Sequence, residues 1–189
     1  RRKRFFIQTR QVIHEKEILT EEEIKRLYKT TEENINGLLD RIILSLYYGC
    51  GLRRSEGVNL KLENIDYKRG ILEITKSKTY TNRFIPITPK IIKDLRNYEK
   101  HSRKYHIKQE TPYLLINRQG KQMRGHNANA RLKEMLKKAK IEKQISLHNL
   151  RHRIASHLLA KGMEIEQISQ YLGHKSLEST EIYTRICKK

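Results

Sequence analysis

Apolar residues recur at helical spacing through most of the chain, and the breaks between runs carry capping residues, glycine or proline. Thr20 followed by Glu23 reads as a capping box, with Ile24 and Leu27 on one face of the helix behind it. A denser apolar helix is expected near residues 36–48 (NGLLDRIILSLYY), stopping at Gly49-Cys50-Gly51, and a short one from Ser55 to Leu60. The pattern then changes. Residues 71–75 (ILEIT) and 83–88 (RFIPIT) read as two strands around the polar tip KSKTYTN, hence a hairpin. Thr88 and Pro89 supply a cap and a proline at the first helical position of the next helix. YLLIN (113–117) predicts another short strand, ended by Gln119-Gly120. Helices are expected after it at about 127–140, at 147–161 between Ser146 and Gly162, at 164–172 before Gly173, and at about 176–184. No internal repeat or low-complexity segment interrupts this order. The expected class is mainly α (α+β), with a small antiparallel sheet.

Length and charge narrow the picture. The 189 residues suit one domain with a real core. Lys and Arg number 41 against 21 Asp and Glu, a formal +20. Such an excess repels itself in a compact fold unless a polyanion relieves it, so nucleic acid is the leading partner. A membrane is not indicated: no apolar run reaches the roughly 18–20 residues of a span, and no signal-peptide core stands near the start. Cys50 and Cys187 alone make no disulfide framework or zinc spacing, which fits a reducing cytoplasm. Residues 1–17 (RRKRFFIQTRQVIHEKE) begin without Met in a basic cluster, and we read them as a linker from something longer.

Four segments can carry chemistry, and each has a plain reading when taken alone. His148 and Arg151 lie three apart, on one face of an expected helix. Histidine can handle a proton, and the arginine fork can grip two phosphate oxygens; HxxR by itself describes many ordinary surfaces. His148 and His152 are four apart, like zinc ligands, but Asn149 stands where HExxH has Glu, so no metal is expected. Gly173-His174-Lys175 precedes Tyr183 by a two-turn helix, though a late tyrosine is commonly a core or surface ring. In Gly49-Cys50-Gly51-Leu52-Arg53-Arg54-Ser55-Glu56 the glycines permit a sharp turn that presents Arg53 near a helix start, where anions are favoured. Glu56 can orient or neutralise an arginine there; the plain alternative is a solvated basic loop. The fourth segment is the hairpin, with Lys76, Lys78 and Arg83.

Together the segments describe one reaction. In-line attack by a tyrosine on a phosphodiester builds negative charge on the non-bridging oxygens, which arginines and histidines can stabilise. The departing 5′ oxygen needs a general acid, a role open to a hairpin lysine. The tyrosine keeps the bond as a covalent intermediate, and no metal or cofactor is required.

The order and wording of these segments resemble the tyrosine recombinase (phage integrase) family, from about Leu19 to Ile186. GLRRSE (51–56) resembles its first-arginine motif and points to Arg53; SKTYTNRFIP (77–86) resembles its hairpin-lysine motif, where the spacing to Pro86 favours Lys78 over Lys76. LHNLRHRIASHLLAKG (147–162) resembles the HxxR box, giving His148 and Arg151, and YLGHKSLESTEIYTRI (171–186) resembles the closing motif, giving His174 and Tyr183. The resemblance implies Tyr183 as nucleophile, Lys78 as general acid and Glu56 as a supporting carboxylate, with Arg54, Lys76, Arg83 and Lys175 as DNA contacts. It also implies a helical catalytic domain over 18–189, with 1–17 as the basic leader from an N-terminal DNA-binding domain. The expected substrate is double-stranded DNA, cut through a 3′-phosphotyrosine by a homotetramer, with room for accessory DNA-bending proteins.

Two positions and the length of the tail depart from the family pattern. Arg54 is charged where an apolar residue is usual, and Gly57 replaces a larger residue, which predicts a weak helix start. Six residues follow Tyr183, where relatives often carry a docking helix, so the isolated chain is expected to be monomeric. Two other functions compete: a type IB topoisomerase-like enzyme and a silent DNA-binding module. The GLRxSE and LGHxxxxxTxxYT wording favours the recombinase over the first, and candidates at all six catalytic positions argue against the second.

Overall fold

In the computed structural model, which describes residues 18–75 and 82–173, helix α1 spans Glu21–Lys29. The expected capping box forms: Thr20 Oγ1 accepts the Glu23 N–H at 3.2 Å, and Glu23 Oε2 accepts the Thr20 N–H at 2.6 Å. Three acids in its first turn face the positive end of the helix dipole, and Ile24 and Leu27 are buried. Helix α2 (Ile35–Leu44), capped by Asn34, buries side chains around most of its circumference and runs into a π-helical turn at Ser45–Gly49. It is the centre of the molecule, packed against α4 (Pro89–Asn97), the π turn Tyr98–Arg103 that continues α4 into α5 (Lys104–His106), and α6 (Gly125–Lys138).

Helix α3 (Arg54–Asn59) is short, and its Gly57 has a packing reason. A Cβ built there would lie 2.5 Å from Tyr47 Oη and 2.6 Å from its Cζ. Tyr47 is fully buried, and its hydroxyl donates to the Arg54 carbonyl at 3.0 Å, tying the π turn to the start of α3. The glycine therefore makes room for the bond that holds this helix. Gly57→Ala gains up to about 1 kcal/mol of helix propensity, but overpacking costs about 1–3 kcal/mol and the displaced hydrogen bond about 1 more. A net loss of stability is expected, read as a lower urea midpoint; an unchanged or raised midpoint would contradict this packing argument.

The sheet has three antiparallel strands in the order β1 (Ile65–Asp66), β2 (Ile71–Ile74), β3 (Arg83–Pro86). Leu72 pairs with Ile85 and Ile74 with Arg83, so one face is buried while Phe84 on the other is exposed. The two-residue β1 carries no strand pattern in the sequence. YLLIN is not a strand: Tyr113 and Ile116 make isolated bridges to Lys61 and Gln122. Its apolar side chains are buried all the same, because the N–H of Leu114 donates to Leu60 and the carbonyl of Leu115 accepts from Met123, two different segments of chain. An apolar run signals burial before it signals a ladder.

Helix α7 (Leu147–Ala160) starts at Ser146, whose N–H donates to Asn149 Oδ1 at 2.9 Å. Helix α8 (Ile165–Leu172) ends at Gly173 in the left-handed conformation, φ 63°. A small apolar cluster of Ala155, Ile168 and Leu172 clamps α8 onto α7 beside the main core. The observed class is the expected one, mostly helical with a small antiparallel sheet. Among the described residues no helix is long and apolar enough to cross a membrane. The basic leader, the hairpin tip with Lys76 and Lys78, and the closing segment with His174, Lys175, Tyr183 and the helix expected at 176–184 lie outside the described residues.

Candidate active site

The site is built where the turn after the π helix meets the end of α8. Gly51 has φ +59°, a conformation that favours glycine, and a Cβ on it would come within 2.7 Å of Leu172 Cδ2, so α8 packs closely on this turn. Arg151, in the second turn of α7, reaches this junction. Its Nη1 donates to the Gly51 carbonyl and its Nη2 to the Leu172 carbonyl at 2.6 Å. Arg53, the residue before α3, donates through Nη2 to the Gly173 carbonyl at 2.6 Å. Two guanidinium groups thus cap the negative end of α8, whose last carbonyls have no helical partner. Arg151 is 3% exposed and Arg53 37% exposed at the side chain, one a buried strut and the other open to a ligand.

Glu56 ties the cluster together. Its Oε1 accepts from Arg53 Nη1 at 2.8 Å and Arg83 Nη1 at 2.7 Å; its Oε2 accepts from the Arg53 N–H at 2.7 Å and Arg83 Nη2 at 2.8 Å. Arg151 Nη1 stands 4.0 Å from Oε2. Burial raises the pKa of this carboxyl, but the hydrogen bonds and charge of Arg83 and Arg53 outweigh it and hold the pKa at about 2. Among the described residues, three arginines against one glutamate leave two positive charges at the junction.

Because the folded pKa lies below the ordinary carboxylate value of 4.5, the contribution is complete above pH 4.5 and lost as pH falls toward 2. The shift corresponds to about 3 kcal/mol. Urea midpoints are therefore expected to fall between pH 5 and pH 2.5, and less so in Glu56→Gln, which has no proton to bind. Equal pH dependence in both proteins would remove Glu56 from this account.

His148 lies in the first turn of α7, with its Nε2 2.6 Å from His152 Nε2. The rings meet edge to face, 4.2 Å between centroids. Partial burial and the positive charges of Arg151 and Arg53 push the His148 pKa down. A neutral ring at neutral pH can accept a proton or donate one hydrogen bond, and His148 stands one helical turn before Arg151 on α7.

The structure therefore brings together Arg53, Glu56, Arg151 and His148. Arg54 does not join them: it is exposed and lies across Gly125 at the start of α6. Arg83, grouped by the sequence with an exposed basic hairpin, is turned inward and 8% exposed, with both terminal nitrogens on Glu56. A signal for this existed in RFIPIT: alternation puts Arg83 on the same face as the buried Ile85 and Ile87, opposite Phe84. Tyr171, also unforeseen, donates to the Gly49 carbonyl at 2.8 Å and pins α8 over the glycine turn.

The phage integrase family model matches residues 17–189, and the chain belongs to that family. Tyrosine recombinase XerA of Pyrococcus furiosus is 37% identical over 174 residues, covering 90% of this chain and 58% of that protein. Tyrosine recombinase XerC of Chlamydia caviae is 33% identical over 172 residues, with 90% and 55% covered. A crystal structure of XerA recombinase superposes with a TM-score of 0.78 at 27% identity, covering 88% of this chain and 59% of that one. XerH site-specific recombinase bound to palindromic difH substrate shares the fold at 20% identity, TM-score 0.79, covering 90% of this chain and 50% of that one. The chain spans little more than half the length of these relatives.

Proposed function

We propose that this chain is the strand-cleaving domain of a site-specific DNA recombinase that breaks and rejoins double-stranded DNA. The observation that carries the reading is the convergence of Arg53 and Arg151 on the last carbonyls of α8, one residue before His174 and ten before Tyr183. The relatives named tyrosine recombinase support it.

In this reading a phosphodiester sits on the exposed side of Arg53, with Arg53, Arg151, His148 and His174 stabilising its non-bridging oxygens. The Tyr183 oxygen attacks phosphorus and loses its proton to a neutral histidine, for which His148 is suited by its lowered pKa. The bond to the 5′ oxygen breaks, and Lys78 gives that oxygen a proton. The 3′-phosphotyrosine stores the bond, and attack by a 5′ hydroxyl reverses the steps and rejoins the strand. The same reading covers integration, excision or resolution of DNA, including mobile elements, by a DNA-bound homotetramer in the cytoplasm, with Arg54, Lys76 and Lys175 holding the DNA backbone.

The test uses a randomised pool of nicked duplexes, in which cleavage beside the nick releases a short 5′-hydroxyl strand and blocks rejoining. Protein linked to the 3′ end is expected, resistant to boiling in detergent and lost on proteolysis. Duplex binding with no linked product from the pool would leave a silent DNA-binding module and overturn the reading.

A further inference from the structure

We propose that Arg83 is a positioning residue for strand cleavage: by occupying half of the Glu56 carboxylate, it keeps Arg53 and Arg151 available to the phosphate. The inference rests on the strand-cleavage reading above and adds to it a residue whose side chain faces away from solvent.

A carboxylate offers about four acceptor positions. On Glu56 they are filled by the Arg53 N–H, Arg53 Nη1 and the two terminal nitrogens of Arg83. Removing the Arg83 fork would empty two of them, 12% exposed, beside two other arginines. Among the described residues the donors at hand to replace it are Arg53 Nη2, now on the Gly173 carbonyl, and Arg151 Nη1, now on the Gly51 carbonyl and 4.0 Å away. Either move would take a donor off the carbonyl that fixes its guanidinium and turn that arginine away from the place where the strand-cleavage reading seats the phosphate. Arg83 thus shares the Glu56 carboxylate with Arg53, holding both of its oxygens with its fork, so that Arg53 meets it through one side-chain nitrogen and Arg151 stays 4.0 Å away.

The placement of Arg83 also joins the segments that bear the remaining candidates. It pairs with Ile74 at the open end of the described β2–β3 ladder, the end toward Lys78. Its guanidinium packs on Gly173, where an added Cβ would meet Arg83 Cδ at 2.8 Å and Nη1 at 2.9 Å. His174 is the next residue. Arg83 Nε is buried with no hydrogen-bond partner among the described residues, a cost that an apolar side chain filling the same space would not carry. A lysine cannot replace the fork, since one ammonium cannot meet both carboxylate oxygens in plane.

The experiment compares the parent protein, as a full chain, with Arg83→Met, Arg83→Lys, Glu56→Met and Arg83→Met/Glu56→Met. It reads the single-turnover rate of adduct formation at saturating nicked duplex, the affinity for that duplex at two salt concentrations, and the thermal midpoint. Both Arg83 variants are expected to form adduct about 10- to 100-fold more slowly, with affinity and its salt dependence within about two-fold of the parent. With Glu56 already replaced by Met, removing Arg83 is expected to cost nothing further, because no carboxylate remains to compete. Should Arg83→Met alone not fold, the double variant and Arg83→Lys still decide the matter. Parent-like cleavage by Arg83→Lys, losses that multiply in the double variant, or weaker binding with a shallower salt slope each overturn the inference. A parent that forms no adduct overturns the strand-cleavage reading instead, and this inference with it.

Discussion

Tyr183→Phe is expected to abolish the covalent protein–DNA product while duplex affinity stays within about two-fold. The substitution removes one oxygen, the atom that must form the bond to phosphorus, and leaves the ring and all basic residues in place. A loss of about 10⁴-fold or more is the scale for deleting a nucleophile that acts as part of a unit. The control is Tyr171, a described phenol close to the junction, two residues before Gly173. Its hydroxyl is committed to the Gly49 carbonyl, and burial pushes its pKa upward, so it is a poor nucleophile. Tyr171→Phe is therefore expected to retain the adduct, with a lower thermal midpoint from the lost bond. Linked DNA in Tyr183→Phe, mapped by peptide analysis to any other residue, would place the nucleophile elsewhere.

The sequence carried the ends of elements better than their partners. Thr20, Thr88 and Gly173 each act on the few residues beside them, so their caps and stops can be read locally, and each forms as expected. The strand expected at YLLIN failed because its partners are two segments distant in sequence, and an apolar run does not reveal which backbone will face it. The meeting of Arg53 with Arg151 is of the same kind. Nothing in the spacing of residues 53 and 151 brings them together; the order of the motifs and their resemblance to a family did. What remained hidden was the detail of pairing. Glu56 was legible as a partner for an arginine, but not that it would serve Arg53 and Arg83 at once. Gly57 looked like a defect in α3 until Tyr47 filled the space it leaves.

Arg151→Ala is expected to slow adduct formation by about 100-fold or more, the scale for removing one preorganised donor, and also to weaken the fold. The two effects share one cause. Arg151 donates to the Gly51 and Leu172 carbonyls from a side chain 3% exposed, so its removal unpairs two buried acceptors and takes a positive charge from beside Glu56. Breaking a buried arrangement of this kind costs about 3–5 kcal/mol. Domains of this size have about 5–15 kcal/mol in total, so the variant should populate its folded state in the cold, with a markedly lower thermal midpoint. Arg151→Lys separates the roles. It retains the charge and part of the stability, but one ammonium cannot span two carbonyls and present a fork to a phosphate, so its cleavage should stay slow. Rates are best measured at 10 °C, after circular dichroism has established that each variant is folded there. A folded Arg151→Ala protein that binds nicked duplex and cleaves at the parent rate would show that Arg151 only supports α8, and the phosphate would have to be held by Arg53 and the histidines alone.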